Sequence, residues 1–585
     1  MGELRLVDKW RRLGGTSIVN TIPGDCTAGF QAAINACNPG DTLYVPAGTY
    51  TVSAPAPGTP AILALPFGIK IEGDGVGETI IKVANASPTY EYILGPDPWT
   101  LPMTGLEVHD ITFDHNIANN PIGPELAGGL VYEGVWAIGT TYHVDDVVLQ
   151  PDNGFFYKCI LQHSGEEPPS GLYWVAIASE NNAYPEFTIG VFATSYDVNI
   201  HDLEIINASS KNNIVLHTGT GHQIKNITAS VIGDDPNHIA HDCSFIYEDT
   251  QGCTIDNVNV SAVIGGPATT CGLEIHGENY TVQNCTVNDF EIGMNLAGVA
   301  PWACSGLVTH NTVTGCSTGL FLWSYTYPGI HDAGYGIDGL TISDNDINLC
   351  YTNLPVDSPV GIGFHHSWAH SSEVPMDVND LHITGNRITA PLEAVPGDYV
   401  SFEGCGIGRV NLNEDFPQTT LSNSTISGNV ITNIPLCGIR FLCDLDNVSI
   451  TGNTLIDCGS TLTGTSWYNR TPIFLDEADR DSVVISGNIF IDDLPVTGIR
   501  YWMFLAAKTT STDLTVSGNY YNMTGDKVVF IKQIYIYDDK TRPVIAETIL
   551  DFVPPTHKVI SPGTWIHDGI TEWTVDVDEL TWTQT

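Results

Sequence analysis

A short phrase that recurs along the chain constrains its fold more than any other feature. Each copy is an alternating β-branched strand, a turn with Asn at a fixed place and a second short strand. The clearest copies are TISDNDI from Thr341, HITGNRI from His382, TISGNVI from Thr425, SITGNTL from Ser449, VISGNIF from Val484 and TVSGNYY from Thr515. The steps between turn residues run from 24 (Asn429 to Asn453) to 43 residues (Asn386 to Asn429). A period of this length indicates a solenoid.

The physical form of that solenoid follows from the repeat itself. One copy cannot bury its apolar face alone, so successive copies have to stack and share a continuous core. Asn at a repeated bend tolerates left-handed backbone angles and can hydrogen-bond to the turn. We therefore predict a parallel β-helix with a ladder of stacked Asn side chains. The predicted members are Asn226, Asn257, Asn284, Asn311, Asn345, Asn386, Asn429, Asn453, Asn488 and Asn519.

The charge of the chain limits its partners. Its 585 residues carry 21 Lys and Arg against 67 Asp and Glu, for a net charge of −46. Nucleic acid and acidic lipid are poor partners for such a surface. No run of 18 apolar residues occurs, so we expect no membrane insertion. We also expect no metal centre and no cofactor, although a structural or charge-neutralising cation such as Ca²⁺ stays open.

Three stretches near the N-terminus resemble a known superfamily. From Asp25, helical spacing of Phe30, Ala33, Ile34 and Cys37 predicts a helix that ends at Gly40. The later stretches are IKIEGDGVGETIIKV from Ile69 and LEVHDITFDHN from Leu106. Together they resemble the pectate-lyase-like β-helix superfamily, notably mannuronan epimerases and phage tailspikes. The resemblance implies an all-β fold, a right-handed single-stranded parallel β-helix closed by an N-terminal helix. It does not select a chemistry, because lyases, hydrolases, epimerases and inert tail proteins share the fold.

The chain divides into five predicted parts. Residues 1–20 form an N-terminal anchor segment with basic residues at Arg5, Lys9, Arg11 and Arg12. Residues 21–134 form the cap and first coils, 135–175 an inserted module, and 176–526 the body of the β-helix. Residues 527–585 form a C-terminal β domain for capping or oligomerisation, because the tail is aromatic and lacks the repeat.

The insert at 135–175 interrupts the repeat and is rich in aromatic residues. It resembles the small carbohydrate-binding module attached to chitinases, through Trp136, the GTTY ending at Tyr142, the YKC from Tyr157, and Trp174. That resemblance implies that these four rings stack on the pyranose faces of a β-linked amino sugar or similar glycan. The alternative is that the rings form the core of a small β-insert.

A candidate site follows from aligning, by hand, the strands that come after Gly in each coil. With apolar positions turned inward, one outer face carries Glu248, Glu274, His276, Phe321, Trp323 and His365. Carboxylates beside imidazoles and flat rings suit a polysaccharide groove. We predict Glu248, Glu274 and His276 as catalytic residues, and Phe321, Trp323 and His365 as sugar-binding residues, because two carboxylates can cleave a glycosidic bond. A slip of one residue would invert the register.

Two other interpretations of this face stay open. A lyase or epimerase would need a base and a charge neutraliser beside a uronate, such as His276 or His365 with Arg440 or Arg409. Alternatively, the face is only a solvated polar surface, which any long solenoid exposes.

Three function classes remain. The preferred one is a phage-tailspike-like protein that binds, and in the enzymatic case depolymerises, a host cell-surface polysaccharide. A start at Met without an apolar signal core and a basic segment for a virion tail partner favour it, and we expect a homotrimer on the virion tail. The alternatives are a secreted polysaccharide lyase, hydrolase or uronan epimerase, and a non-enzymatic structural spike or receptor-binding protein.

Overall fold

The structure, a computed structural model, describes most of the coil strands. The described residues are 3–5, 25–55, 59–88, 90–120, 131–144, 146–150, 155–164, 167–168, 171–179, 187–208, 213–232, 246–264, 268–299, 302–325, 336–350, 360–364, 377–391, 405–409, 420–435, 437–441, 443–459, 471–475, 480–492, 501–506, 511–512, 515–523, 532–537, 564–567, 571–576 and 581–584.

The described chain is almost entirely β and divides into two compact units, Met1–Met294 and Asn295–Thr585. Two sheets, called here the first and the second sheet, are built from parallel strands in each unit. Each coil of the second unit gives two or three short strands to the first sheet and one strand to the second. The fold is the right-handed single-stranded parallel β-helix that the sequence predicts.

The first unit contains the early coils, a helix at Thr27–Asn35 and a 3₁₀ turn at Ile117–Asn119. Its first-sheet strands are Glu3–Arg5, Thr42–Tyr44, Gly48–Val52, Lys70–Glu72, Thr79–Val83, Glu107–Asp114, Asn199–Ala208, Gln223–Ile232, Thr254–Ile264, Tyr280–Gln283 and Thr286–Asn288. Its second-sheet strands are Thr59–Leu65, Tyr90–Pro96, Phe187–Val191, Ser195–Tyr196, Ile214–Thr220, Ile246–Gln251 and Ala268–Glu278. The strand Phe290–Val299 spans the boundary between the units.

The second unit repeats the coil. Its first-sheet strands are Cys304–Thr309, Thr312–Cys316, Ile337–Ser343, Asp346–Leu349, Val378–Thr384, Arg387–Thr389, Thr420–Ser422, Thr425–Ser427, Val430–Thr432, Asp444–Asp446, Ser449–Thr451, Thr454–Ile456, Arg480–Asp481, Val484–Ser486, Ile489–Asp492, Ser511–Thr512, Thr515–Ser517 and Tyr520–Met523. Its second-sheet strands are Thr318–Tyr325, Val360–Phe364, Cys405–Arg409, Cys437–Phe441, Ile473–Leu475, Tyr501–Ala506 and Lys532–Tyr537.

The predicted N-terminal helix is confirmed at Thr27–Asn35. Phe30, Ala33 and Ile34 are fully buried, and Phe30 packs edge-on against Tyr50 of an early strand. Gln31 ties the helix to the second sheet, because its side chain exchanges hydrogen bonds of 2.8 Å with the backbone of Ala64 in both directions. The helix thus covers apolar side chains of the first coils, which would otherwise contact water.

A ladder of buried Asn side chains runs through the second unit. The Oδ1 atom of each Asn accepts hydrogen bonds from both the backbone N–H and the side-chain amide of the Asn one coil earlier, at 2.9–3.0 Å. Each side-chain amide from Asn345 onward also donates to a backbone carbonyl. The members are Asn311, Asn345, Asn386, Asn429, Asn453, Asn488 and Asn519. This part of the predicted ladder is confirmed.

The residue before each ladder Asn explains the recurring SGN sequence. Gly385, Gly428, Gly452, Gly487 and Gly518 all have φ between 62° and 69°. Left-handed backbone at this position turns the following Asn into the coil, and Gly adopts that conformation without a steric penalty.

The prediction was wrong for Asn226, Asn257 and Asn284. These residues themselves occupy the left-handed bend, with φ of 53°, 55° and 55°, and are exposed. The inward place after the bend is filled by Ile227, Val258 and Cys285, all buried. The three Asn side chains instead form part of an outer chain of hydrogen bonds with Asp202 and Asp256. The first unit therefore has an apolar interior where the second unit has the Asn ladder.

The insert and the C-terminal region have their own sheets. In the insert, Val131–Val135, Asp146–Gln150, Phe155–Cys159 and Trp174–Ser179 form one four-stranded sheet, and Thr141–Tyr142 pairs with His163–Ser164. In the tail, Lys532–Tyr537 pairs in parallel with Tyr501–Ala506, so coil pairing continues past the predicted boundary at Lys527. Thr564–His567, Thr571–Asp576 and Thr581–Gln584 then form an antiparallel sheet, in keeping with a separate β segment.

Substituting one ladder residue tests how far the ladder stabilises the coil. Asn429→Ala removes the acceptor of two hydrogen bonds from Asn386 and one donor to the Ile383 carbonyl, all buried. Because a buried donor without a partner costs about 1–3 kcal/mol, we expect the free energy of unfolding to fall by at least that amount. Equilibrium denaturation followed by far-UV circular dichroism measures the change.

Asn423→Gly is the matched control. Asn423 is exposed, hydrogen-bonds with Asn379 and Asn447 at the surface of the same unit, and has φ of 48°, which Gly adopts readily. We expect a change below about 1 kcal/mol for this variant. Equal losses in the two variants would show that burial of the ladder contributes nothing.

Candidate functional site

The strand that carries Glu248 differs by one residue from its predicted register. In Ile246–Gln251, Glu248 pairs with Leu216 on one side and Ile275 on the other, and both partners are core residues. Glu248 therefore points into the coil and is fully buried, which corrects its predicted place on the outer face. The alignment failed because a carboxylate is costly inside a core, so the outer face was the natural place to assign it.

Glu248 sits in an apolar environment with few donors. Neither carboxylate oxygen has a hydrogen-bond partner of normal geometry among the described residues. The donors that face it are the Cys253 thiol and the backbone amide of Thr250. Burial raises the pKa of the Glu248 carboxyl well above its usual value, and the neighbouring Asp249 raises it further. Burial and the charge of Asp249 therefore favour the protonated form of Glu248, and its place in the core makes it inaccessible to substrate.

The same shift brings Asp249 onto the outer face. Asp249 pairs with His217 on one neighbouring strand and with His276 on the other. Glu274 lies two residues before His276, hence on the same face, and its Oε1 is 2.9 Å from His276 Nε2. We call His217, Asp249, Glu274 and His276 the acid–histidine cluster. The predicted placement of Glu274 and His276 on one face is confirmed, with Asp249 in the place assigned to Glu248.

The cluster is recessed rather than freely solvated. The side chains of His276, Asp249 and Glu274 are only 4%, 9% and 15% exposed, whereas that of His217 is 42% exposed. Oδ2 of Asp249 is 3.7 Å from His217 Nε2, and Oδ1 is buried without a hydrogen-bond partner among the described residues. Burial raises the pKa of Asp249 above its usual value, although His276 and His217 act to lower it.

These four groups can perform acid–base chemistry. Asp249, whose protonated form burial favours, and Glu274, which is hydrogen-bonded to an imidazole, are the two carboxyl groups that proton transfer to and from a bound sugar would use. No local sequence signal identifies Asp249. The register shifts between His217 and Thr220, so only the strand pairing shows that Asp249 lies level with His217 and His276.

The predicted sugar-binding side chains of the second unit differ in their exposure to solvent. Phe321 is half-buried, and its strand pairs so that Phe321, Gly363, Gly408 and Arg440 lie in one row. Phe321 thus lies on the outer face, between the buried Leu320 and Leu322, as predicted. Trp323 is 96% buried, so the prediction of an exposed stacking ring is wrong for it. His365 lies outside the described residues.

Arg440 is nearly fully buried at the end of that row. Its guanidinium carbon lies 5.7 Å from the centre of the Phe474 ring, a cation–π distance. In this position the side chain supports packing on the outer face of the second unit.

The rings of the insert form its core. Tyr142, Tyr157 and Trp174 are 2%, 6% and 2% exposed and cluster with Val148 and Cys159. Tyr142 and Trp174 contact each other edge-on at 5.2 Å between ring centres. The predicted stacking of these three rings on sugar is therefore wrong, and the alternative of a small β core is correct. Trp136 is partly buried against the same cluster.

A separate group of side chains that could bind a metal ion lies on the first sheet. Across the described part of the chain, one group of three acidic or His residues, Glu107, His109 and His201, places its ligand atoms within 4.8 Å of one another. None of the three belongs to the acid–histidine cluster.

Within the described residues, no helix has the length and apolar character to cross a membrane.

Solved structures similar to this chain are tailspike proteins of E. coli bacteriophage HK620. A double mutant in complex with pentasaccharide aligns over 89% of this chain and 78% of that chain, with a TM-score of 0.53 and 13% identity. A single mutant with pentasaccharide gives a TM-score of 0.52 at 13% identity, and a variant with hexasaccharide 0.51 at 12%, with the same coverage. At such identities the likeness shows the fold alone.

Sequence relatives cover much less of the chain. Mannuronan C5-epimerase AlgE1 of Azotobacter vinelandii is 37% identical over 84 residues, which are 14% of this chain and 5% of that protein. AlgE6 of the same organism is 32% identical over 97 residues, 16% of this chain and 11% of that protein. The chain thus spans a small part of the length of these curated relatives. No protein-family model matches the chain.

The buried carboxyl of Glu248 makes the stability of the fold depend on pH. Its pKa is raised in the folded state, so its contribution is fully present below the unfolded pKa of about 4.3 and is lost as pH rises towards the folded pKa. Glu248→Gln removes this ionisation. We expect the variant to gain stability relative to the parent as pH rises from about 5 to 8.

Thermal midpoints measured at one scan rate across this pH range check the effect. Glu78→Gln, at an exposed turn of the same unit, is the control and should leave the pH dependence of the parent unchanged. Parallel curves for the parent and Glu248→Gln would contradict a buried titrating carboxyl.

Proposed function

We propose that this protein is a tailspike-like protein that binds a cell-surface polysaccharide and cleaves it at the acid–histidine cluster. The observation that carries the proposal is the grouping of Asp249, Glu274 and His276 on the outer face of adjacent coil strands. The fold likeness adds support, because the similar tailspike structures are complexes with pentasaccharide or hexasaccharide.

The two carboxyl groups have distinct roles in the proposed cleavage. Asp249 and Glu274 lie diagonally on neighbouring strands, which at a strand spacing of about 4.8 Å and a rise of about 3.3 Å per residue puts their Cα atoms about 8 Å apart. In inverting glycosidases the two carboxyl groups are about 6.5–9.5 Å apart, which leaves room for the attacking water between them. Asp249 protonates the leaving glycosidic oxygen, and Glu274 takes a proton from the water whose oxygen attacks the anomeric carbon.

The histidines position and tune these carboxyl groups. His276 holds Glu274 through a 2.9 Å hydrogen bond and faces Asp249 from the next strand. His217, the most exposed member, lies on the other side of Asp249 and is the group best able to contact a sugar hydroxyl. Burial favours the protonated form of Asp249, which a general acid requires.

A uronan epimerase or lyase is the second candidate. The local sequence likeness to the mannuronan C5-epimerases AlgE1 and AlgE6 favours it. In that case His276 would remove the C5 proton of a uronate whose carboxylate is neutralised nearby. An unsaturated product from a polyuronate, or inversion at C5 without chain cleavage, would identify this chemistry.

We further propose that the chain acts as a homotrimer on a virion tail, with residues 1–20 towards the tail partner. A row of outward apolar side chains in the second unit supports self-association. Val430, Ile489 and Tyr520 are aligned on successive strands with Thr454 between them, and each is 37–38% exposed. A second copy of the chain would remove this row from water.

Substitution of the two carboxyl groups tests the cleavage site. We expect Asp249→Asn and Glu274→Gln each to lower the rate of reducing-end release about 10²–10⁴-fold, because each removes one proton-transfer group. Both substitutions are nearly isosteric, so circular dichroism and polysaccharide binding should be retained. The rate is measured on a panel of capsular and lipopolysaccharide glycans, with product analysis by mass spectrometry.

Glu204→Gln provides the control. Glu204 is a partly buried carboxylate of the same unit that accepts a 2.9 Å hydrogen bond from Thr112, but it lies on the first sheet. We expect the Glu204→Gln variant to cleave the glycan at the same rate as the parent protein. Full activity of the Asp249→Asn, Glu274→Gln double variant would place the chemistry at another site, and binding without any release would favour a non-enzymatic spike.

The oligomeric state is tested by mass. Multi-angle light scattering of the full chain should give three times the 63.1 kDa mass of one copy. Ile489→Lys places a charge within the apolar row and should shift the population towards the monomer, whereas Ser449→Lys, outward on another strand, should not. A monomer mass for the parent chain would contradict the trimer.

A further inference from the structure

Three potential metal ligands meet on the first sheet, away from the acid–histidine cluster. Glu107 and His109 are two residues apart on Glu107–Asp114, so they share one face, and His201 lies on the adjacent strand, paired with His109. The two imidazole rings stack at 4.6 Å between centres and 7° between planes. Glu107 Oε1 is 3.4 Å from His201 Nε2, and all three ligand atoms lie within 4.8 Å of one another.

The tautomers of both histidines are set by carboxylates on the outer side. Asp110 and Asp202, each the residue after a histidine, have φ of 59° and 52°, and this bend turns their side chains back towards the ring. His109 Nδ1 is 2.7 Å from Asp110 Oδ2, and His201 Nδ1 is 2.6 Å from Asp202 Oδ2. In the neutral imidazole, an Nδ1–H that donates to the carboxylate leaves the Nε2 lone pair for a metal ion. This carboxylate–histidine arrangement is the one that orients histidine ligands in metal sites.

The contact between His201 and Glu107 is one that a metal ion can complete. In the neutral ring with Nδ1 as the donor, His201 Nε2 is an acceptor that faces Oε1 of Glu107 at 3.4 Å. A cation between these two atoms would be attracted to both. Lys70 does not serve, because its ammonium pairs with the other oxygen, Oε2. Lys225, which follows His201 on the next strand, donates to Gln223 at 2.8 Å.

We propose that Glu107, His109 and His201 bind one divalent transition-metal ion, with Zn²⁺ as the best match. Two imidazole nitrogens and one carboxylate oxygen are a ligand set that Zn²⁺ accepts, and a three-ligand site leaves a fourth position for water. Side-chain exposures of 16–21% give an ion access from solvent. Asp110 and Asp202 add negative charge that offsets the nearby lysines.

The location suggests what such an ion would do. The strands Glu107–Asp114 and Asn199–Ala208 are neighbours in the sheet, but the chain between them contains the inserted module. Closing this long connection costs chain entropy that the strand pairing has to offset. A metal bound by residues of both strands would fasten the coil where the chain re-enters it, so the site is structural and independent of the proposed glycan cleavage.

The test uses the full chain, stripped with EDTA and dialysed. Isothermal calorimetry should show Zn²⁺ binding with one ion per chain, and a molar excess of Zn²⁺ should raise the thermal midpoint. Co²⁺ should give visible absorption bands of a nitrogen–oxygen site. Glu107→Gln and the His109→Gln, His201→Gln pair should each weaken Zn²⁺ binding at least tenfold, and Asp202→Asn about 10–100-fold, because that carboxylate orients His201.

His382→Gln is the matched control. His382 also lies outward on a first-sheet strand and contacts a carboxylate, with Nε2 3.1 Å from Asp380 Oδ1, but it belongs to no three-ligand group among the described residues. Its variant should bind Zn²⁺ as the parent does. Absence of saturable Zn²⁺ binding by the parent, or binding unaffected by the Glu107 and His variants, would overturn the proposal. A thermal midpoint that does not rise with saturating Zn²⁺ would also overturn it.

Discussion

The buried Asn ladder is the interaction on which the regular coils of the second unit depend. A parallel coil has to turn its backbone at every bend, and each turn leaves an amide inside the core that the strand ladders do not satisfy. The Asn side chain of the next coil accepts a hydrogen bond from that amide and also donates one to a backbone carbonyl. Asn429 does both, with Asn386 as the donor and the carbonyl of Ile383 as the acceptor. Since an unpaired buried amide is costly, the ladder fixes both the position of the bend and the register between coils.

That fixed register decides which side chains can act together. Along each strand the side chains alternate between the core and the outer face, so a shift of one residue exchanges the two sets. The strand with Glu248 and Asp249 shows the consequence. Pairing with Leu216 and Ile275 commits Glu248 to the core and leaves Asp249 between two histidines. A site of two carboxyl groups and two imidazoles therefore arises from strand pairing, not from any contiguous motif.

The inserted module shows the same dependence on packing. Tyr142, Tyr157 and Trp174 have the composition of a sugar-stacking surface, yet only 2–6% of each residue is exposed to solvent. A module this small has few apolar residues, and burying the large rings is its main source of stability. Composition alone could not separate the two roles, because an aromatic ring that stacks on sugar and one that fills a small core are the same residue type.

The sequence by itself determined the coil architecture, the N-terminal helix and the position of the bends. These features depend on local patterns, namely the β-branched alternation, the spacing of Phe30, Ala33 and Ile34, and the recurring Gly–Asn pair. Tertiary structure decided which residue follows each bend into the core, why Asn226 lies outside while Asn311 lies inside, and which acid joins Glu274 and His276. The reason is physical: local conformation is encoded within a few residues, whereas the inward or outward direction of a side chain depends on pairing with a strand that lies from 24 to 92 residues away.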